Sequence, residues 1–166
     1  MVLLKQKNIG KKLSYYLLMS TLDDDKNQGG KLKQLFPEVD SKEFIKEKIV
    51  ISLFAMHVAL YSYYKDKPIL TKEYRDLFKT CIKKLTMSGI FENEDECFKY
   101  IDLRLKQYFQ AFDKNAHPGF LYWVSKKFCE FNNSITLSGI VGIMTFIGEI
   151  IPVDVELIKD LNNSEM

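Results

Sequence analysis

Residues 39–64 read VDSKEFIKEKIVISLFAMHVALYSYY, and this stretch decides the fold. It opens with a helix-start signal. Asp40 and Glu43 occupy the two positions of a capping box, in which each carboxylate takes up a backbone N–H left free at the helix end. Val39 and Phe44 occupy the positions of a hydrophobic staple. From Ile49 to Tyr64 the helix is apolar on nearly every side. A helix of that kind is surrounded by others. The chain is therefore predicted to be an all-α bundle, with this second helix, over about residues 40–65, at its centre.

Downstream the period stays helical. Tyr74, Leu77, Phe78, Cys81, Ile82 and Leu85 recur at steps of three and four, with Lys72, Arg75, Lys79 and Lys83 opposite. That pattern predicts an amphipathic surface helix over about 71–87, ended by Ser88-Gly89. Asn93 and Glu96 repeat the capping-box spacing ahead of an inner stripe of Phe98, Ile101, Leu105, Tyr108, Phe109 and Phe112. A turn over 113–119 leads to a fifth helix ending near Phe131, with Phe120, Leu121, Val124 and Phe128 inward. Asn132-Asn133-Ser134 breaks it and offers the next N-cap.

The sixth helix, about 134–150, is again apolar on all sides and is predicted to be the second central one, stopped by Pro152. Gly139 and Gly142, with Gly148 beyond, are predicted to let another backbone approach it. Residues 154–161 add a short docking helix, and 162–166 a frayed tail. Upstream lie a first helix over about 8–21, an acidic Gly-ended loop at 23–30, and one helical turn over 31–36. No stretch alternates with a period of two. The expectation is a single domain, 1–166, of six or seven helices.

Composition narrows the function. Net charge is +2, and Arg75 and Arg104 are the only arginines. Arginine supplies the planar fork for guanine edges, so sequence-specific nucleic-acid binding is disfavoured. The ends carry opposite charge, with Lys5, Lys7, Lys11 and Lys12 at the start and Asp154, Glu156, Asp160 and Glu165 at the finish. Solvated ends are the plain reading, and head-to-tail attraction the sharper one. Cys81, Cys97 and Cys129 form no CxxC pair and sit in apolar stripes. They read as small hydrophobes in a reducing compartment, which points to the cytoplasm.

The chemistry-bearing motifs are incomplete. Asp23-x-Asp25-x-Asn27 resembles the opening of a calcium loop, but Gln28 and Gln34 stand where Gly and a bidentate Glu are needed. No Cys or His pairs suit zinc, and neither His57 nor His117 follows a Glu at the di-iron spacing. No metal, cofactor or activated nucleophile is expected. Residues 135–153 are long enough to suggest a membrane span, yet they hold Ser138, Thr145, Glu149 and Pro152, which favours a buried core helix.

Four residues remain as candidate ligand contacts. His57 lies in the most apolar helix, with Tyr61 four residues on and Tyr64 nearly one turn further. A buried imidazole beside a phenol can anchor a ligand, although a core histidine with a satisfied hydrogen bond is the plainer reading. Trp123, next to Tyr122, is either core or the anchor of a binding face. The leading functional expectation is a protein–protein interaction or scaffold module, with a homodimer as its form. The alternative is an apolar small-molecule or lipid binder with a pocket between the two central helices. An enzyme built from scattered residues such as His57, Tyr61 and Glu149 ranks third.

Overall fold

The computed structural model describes residues 8–22, 29–65, 67–114 and 119–164. Residues 23–28 with their calcium-like spacing, His117, and the basic Lys5 and Lys7 lie outside them. The described residues form seven helices and no strand. These are α1 (Ile9–Leu22), α2 (Gly29–Gln34), α3 (Ser41–Tyr64), α4 (Lys67–Met87), α5 (Glu94–Lys114), α6 (Phe120–Phe131) and α7 (Leu137–Asn163).

The centre is α3, which touches α1, α4, α5, α6 and α7. Its side chains from Glu47 to Met56 are all buried. The Asp40 carboxylate accepts the N–H groups of Lys42 and Glu43 at 2.9 and 3.2 Å. Such a cap contributes about 1 kcal/mol. The reciprocal half of the box does not form, because the Glu43 carboxylate pairs instead with Lys46 at 2.9 Å. At the far end Lys65 turns left-handed, at φ 54°, and its N–H reaches the Tyr61 carbonyl. α4 begins four residues earlier than the periodicity suggests. Pro68 falls in its first turn, where a missing N–H costs nothing.

Aromatic rings join the helices. Phe36, just after α2, packs against Phe44 of α3 and Phe128 of α6, with centroids 5.6 Å apart in each pair. Phe54 of α3 meets Tyr108, Phe109 and Phe112 of α5. Phe98, assigned to the inner stripe of α5, is half exposed and lies edge-on to Phe78.

The last helix departs most from expectation. Pro152 does not stop it, and one continuous helix runs to Asn163. Pro152 and the residue four before it, Gly148, both lie on the exposed face. The carbonyl that loses its N–H partner there can bond water, so the usual objection to an internal proline is weakened. Nor is the helix buried all round. Gly139, Ile140, Ile143, Ile147 and Ile158 face inward, against α3 and α6, while Leu137, Val141 and Val153 face out. Thr136, not Ser134, caps it, accepting the Gly139 N–H at 3.0 Å. Asn162 and Asn163 belong to this helix, and Asn162 donates to the Tyr64 hydroxyl at 3.0 Å.

Close backbone approach occurs elsewhere than at the α7 glycines. A Cβ on Gly142 would meet the flexible end of Leu35, one on Gly139 would meet side chains, and one on Gly148 would meet nothing. A Cβ on Gly10 of α1, by contrast, would strike the Glu73 carbonyl of α4. At this crossing the Gly10 N–H donates to the Glu73 carboxylate at 2.7 Å. The first turn of α1 has no acid of its own, and α4 supplies the negative charge that its dipole favours.

Candidate functional site

His57 opens onto a groove of about 400 Å³ walled by α3, α4 and α5. Its sides are Leu70, Tyr74 and Phe78 of α4 and Leu105 and Phe109 of α5, and its rim carries Arg75, Asp102 and Lys106. The helical period brings these residues together, since Leu105 and Phe109 are one turn apart on α5, as are Tyr74 and Phe78 on α4. The imidazole lies edge-on between two rings, 4.4 Å from the centroid of Tyr74 and 4.7 Å from that of Phe109.

Two polar atoms in this apolar setting have no protein hydrogen-bond partner, Nδ1 of His57 and the hydroxyl of Tyr74. Burial lowers the His57 pKa from its ordinary value of 6.5, so the ring is neutral at physiological pH. Burial pushes the Tyr74 hydroxyl well up, so it keeps its proton. The groove wall thus holds, just beneath its surface, a phenol donor and an imidazole that can donate or accept according to its tautomer.

The sequence pointed to a different neighbour for His57. Tyr61 is more than half exposed and does not line the groove. Tyr64 is engaged with Asn162 of α7. Trp123 sits on α6 away from the groove lining, 41% exposed, edge-on to Tyr122 and under the Lys126 ammonium. The phenol beside His57 comes from α4. Tyr74 was legible only as a member of an inward stripe, because its approach to His57 is made by the packing of two helices. The groove also lies among α3, α4 and α5 rather than between α3 and α7.

A second cleft, of about 420 Å³, lies over the start of α3 and includes Glu47, Tyr100 and Arg104. Here the polar groups satisfy one another. The buried Glu47 carboxylate accepts from the Tyr100 hydroxyl at 2.5 Å, from Arg104 Nε at 2.7 Å and from the Tyr108 hydroxyl at 3.3 Å. Burial raises its pKa, opposed by the Tyr100 hydrogen bond and by Arg104. The Arg104 guanidinium also stacks 3.8 Å from the centroid of Phe131 of α6. A fully bonded network of this kind fastens α3, α5 and α6 together. Its one sequence signal was Arg104, one of only two arginines, since Glu47 stands between Lys46 and Lys48 ahead of the apolar run.

Among the described residues no group of three or more His, Cys, Asp or Glu side chains is placed to hold a metal ion. None of the described helices is long and apolar enough to cross a membrane. Comparison with protein-family models, curated proteins and solved structures finds no match.

Proposed function

We propose that this bundle binds a small, mostly apolar molecule carrying one hydrogen-bonding group, in the α3–α4–α5 groove. The observation that carries the reading is the pair of unpartnered buried polar atoms, His57 Nδ1 and the Tyr74 hydroxyl, in a groove otherwise walled by aromatic and aliphatic side chains. Each such atom costs the free protein about 1–3 kcal/mol, and a ligand that bonds it recovers part of that cost. Pockets of this size with a few convergent polar groups are the usual form of small-molecule sites. The three buried thiols support a cytoplasmic setting.

The test uses 2-naphthol and its hydroxyl-free counterpart naphthalene as probes. Saturable binding of 2-naphthol is expected, with the resonances of His57 and Tyr74 moving in the NMR spectrum. Naphthalene should bind about tenfold more weakly, the equivalent of one buried hydrogen bond. Tyr74→Phe should weaken 2-naphthol binding while raising the stability of the free protein by about 1 kcal/mol, because it removes an unsatisfied hydroxyl. Binding that leaves the groove resonances unmoved, or that Tyr74→Phe does not affect, would falsify the reading.

A second reading, a protein–protein module that pairs with its own copy, rests on α7. Leu137 is 77% exposed, Val141 51% and Val153 52%, all on its outer side. Val141→Asp should then abolish a dimer seen by sedimentation at micromolar protein. A wild-type chain that sediments only as monomer removes this reading and leaves the groove.

A further inference from the structure

Away from the His57 groove, α1 and α4 run side by side in the same direction, with Gly10 against Glu73 and Tyr15 beneath the Lys84 ammonium. Between them lies a second groove, of about 530 Å³. Lys11 of α1 and Lys79, Lys83 and Lys84 of α4 line it, and Asp76 is its one acidic residue among the described residues. Four positive charges against one negative leave a local excess of three, more than the +2 of the whole chain. None of these four lysines forms a salt bridge among the described residues. Lysines that are ion-paired, such as Lys99 with Asp95 and Lys106 with Asp102, are matched within one helical turn.

This concentration is not what the fold requires. Lys84, in the last turn of α4, complements the helix dipole. Lys79 and Lys83 stand four apart on the same helix face, a like-charge spacing that weakens a helix. A cleft walled by low-dielectric protein focuses such a field and raises the local concentration of anions. Lysines are compact charges that can approach a tetrahedral oxyanion from several directions, whereas the planar fork that grips a single carboxylate is absent here. The exposed ring of Tyr15 and the 70% exposed Met87 provide an apolar shelf beside the charges.

We infer that the α1–α4 groove binds a multiply phosphorylated group, two or more adjacent phosphoryl moieties on a small molecule or a lipid headgroup. Its volume falls in the range of small-ligand sites, roughly 300–1,000 Å³. The lysines converge on one cleft instead of spreading along a face as a nucleic-acid track would.

The full chain is titrated calorimetrically with inorganic tripolyphosphate, and tested for sedimentation with phosphatidylcholine vesicles with and without bisphosphorylated phosphatidylinositol. Saturable tripolyphosphate binding that weakens with salt is expected. Lys79→Gln/Lys83→Gln should reduce its affinity roughly tenfold or more, and Lys79→Arg/Lys83→Arg should retain it. The Gln pair removes a like-charge contact, so its helix content by circular dichroism should be unchanged. Lysine-dependent binding to the phosphoinositide vesicles alone identifies the headgroup as the source and also supports the inference. No binding to either probe, binding indifferent to the Gln pair, or lysine-dependent binding confined to a single-stranded RNA overturns it.

Discussion

Asp154→Asn makes the protein more stable at neutral pH, by about 4 kcal/mol at most. Asp154 lies in the second half of α7 and is only 1% exposed, and neither carboxylate oxygen has a protein hydrogen-bond partner. Tyr16 of α1 is a titratable neighbour, its hydroxyl pushed up by burial and then by Asp154. Burial pushes the Asp154 pKa from the ordinary 3.8 up to about 7. The folded state therefore holds a proton that the unfolded chain releases, and folding loses stability as pH rises between those two values. Below about pH 4 both states are protonated and the loss vanishes. Above about pH 7 the loss is complete, and the gap between the two values sets its size, about 1.4 kcal/mol for each tenfold step. Asparagine has the shape and hydrogen-bonding character of the neutral acid without its titration. The two proteins should match near pH 4 and diverge as pH approaches 8, by roughly 10 °C in melting temperature. His57 titrates with the opposite sign, since burial lowers its pKa and stability is lost as pH falls. Both proteins keep His57, so the difference between their stability curves isolates Asp154. Parallel curves from acid to neutral pH would show that the Asp154 carboxylate reaches water.

Arg104→Ala acts in the other direction, with an expected loss of about 3 kcal/mol at neutral pH. The guanidinium is the only cation on the buried Glu47 carboxylate among the described residues, at 2.7 Å, and its removal leaves two tyrosine hydroxyls to hold a charge that burial already disfavours. The contact with Phe131 is lost as well, which loosens α6 against α5. The loss lies at the lower end of the range for a broken buried pair because Glu47 can take up a proton and keep its hydrogen bonds. Lysine should not rescue it, having neither the flat face for Phe131 nor a planar Nε–H for the carboxylate. Glu47→Gln combined with Arg104→Met should be less destabilised than Arg104→Met alone, since the uncompensated charge is gone. Denaturant unfolding of Glu47→Gln, Arg104→Met and the double variant measures this coupling. A double variant that shows simple additivity would mean that the arginine contributes packing and no charge pairing.

These two residues show where reading the chain one residue at a time runs out. Asp154 stood among acids near the C-terminus and read as a solvated charge. It is buried because α7 continues through Pro152 and turns that side of the helix onto the bundle. Glu47, between two lysines in the sequence, is buried because Arg104 and two tyrosines arrive from fifty or more residues away to bond it. Neither partner set has a local signal.

The all-α class, the start of α3 at Asp40 and the end of α4 at Gly89 were determined by the sequence alone. Each rests on interactions within a few residues. A period of three to four produces an apolar face, a carboxylate satisfies N–H groups two and three positions on, and Gly89 takes a φ of +76° that other residues avoid. Tertiary structure decided which faces became sites. It chose Tyr74 rather than Tyr61 as the neighbour of His57, brought Lys11 to the lysines of α4, and let Gly10 rather than Gly142 admit a backbone. Those outcomes depend on helix crossings. A crossing is set by the packing of whole side-chain surfaces against one another, to which residues distant in the chain contribute together.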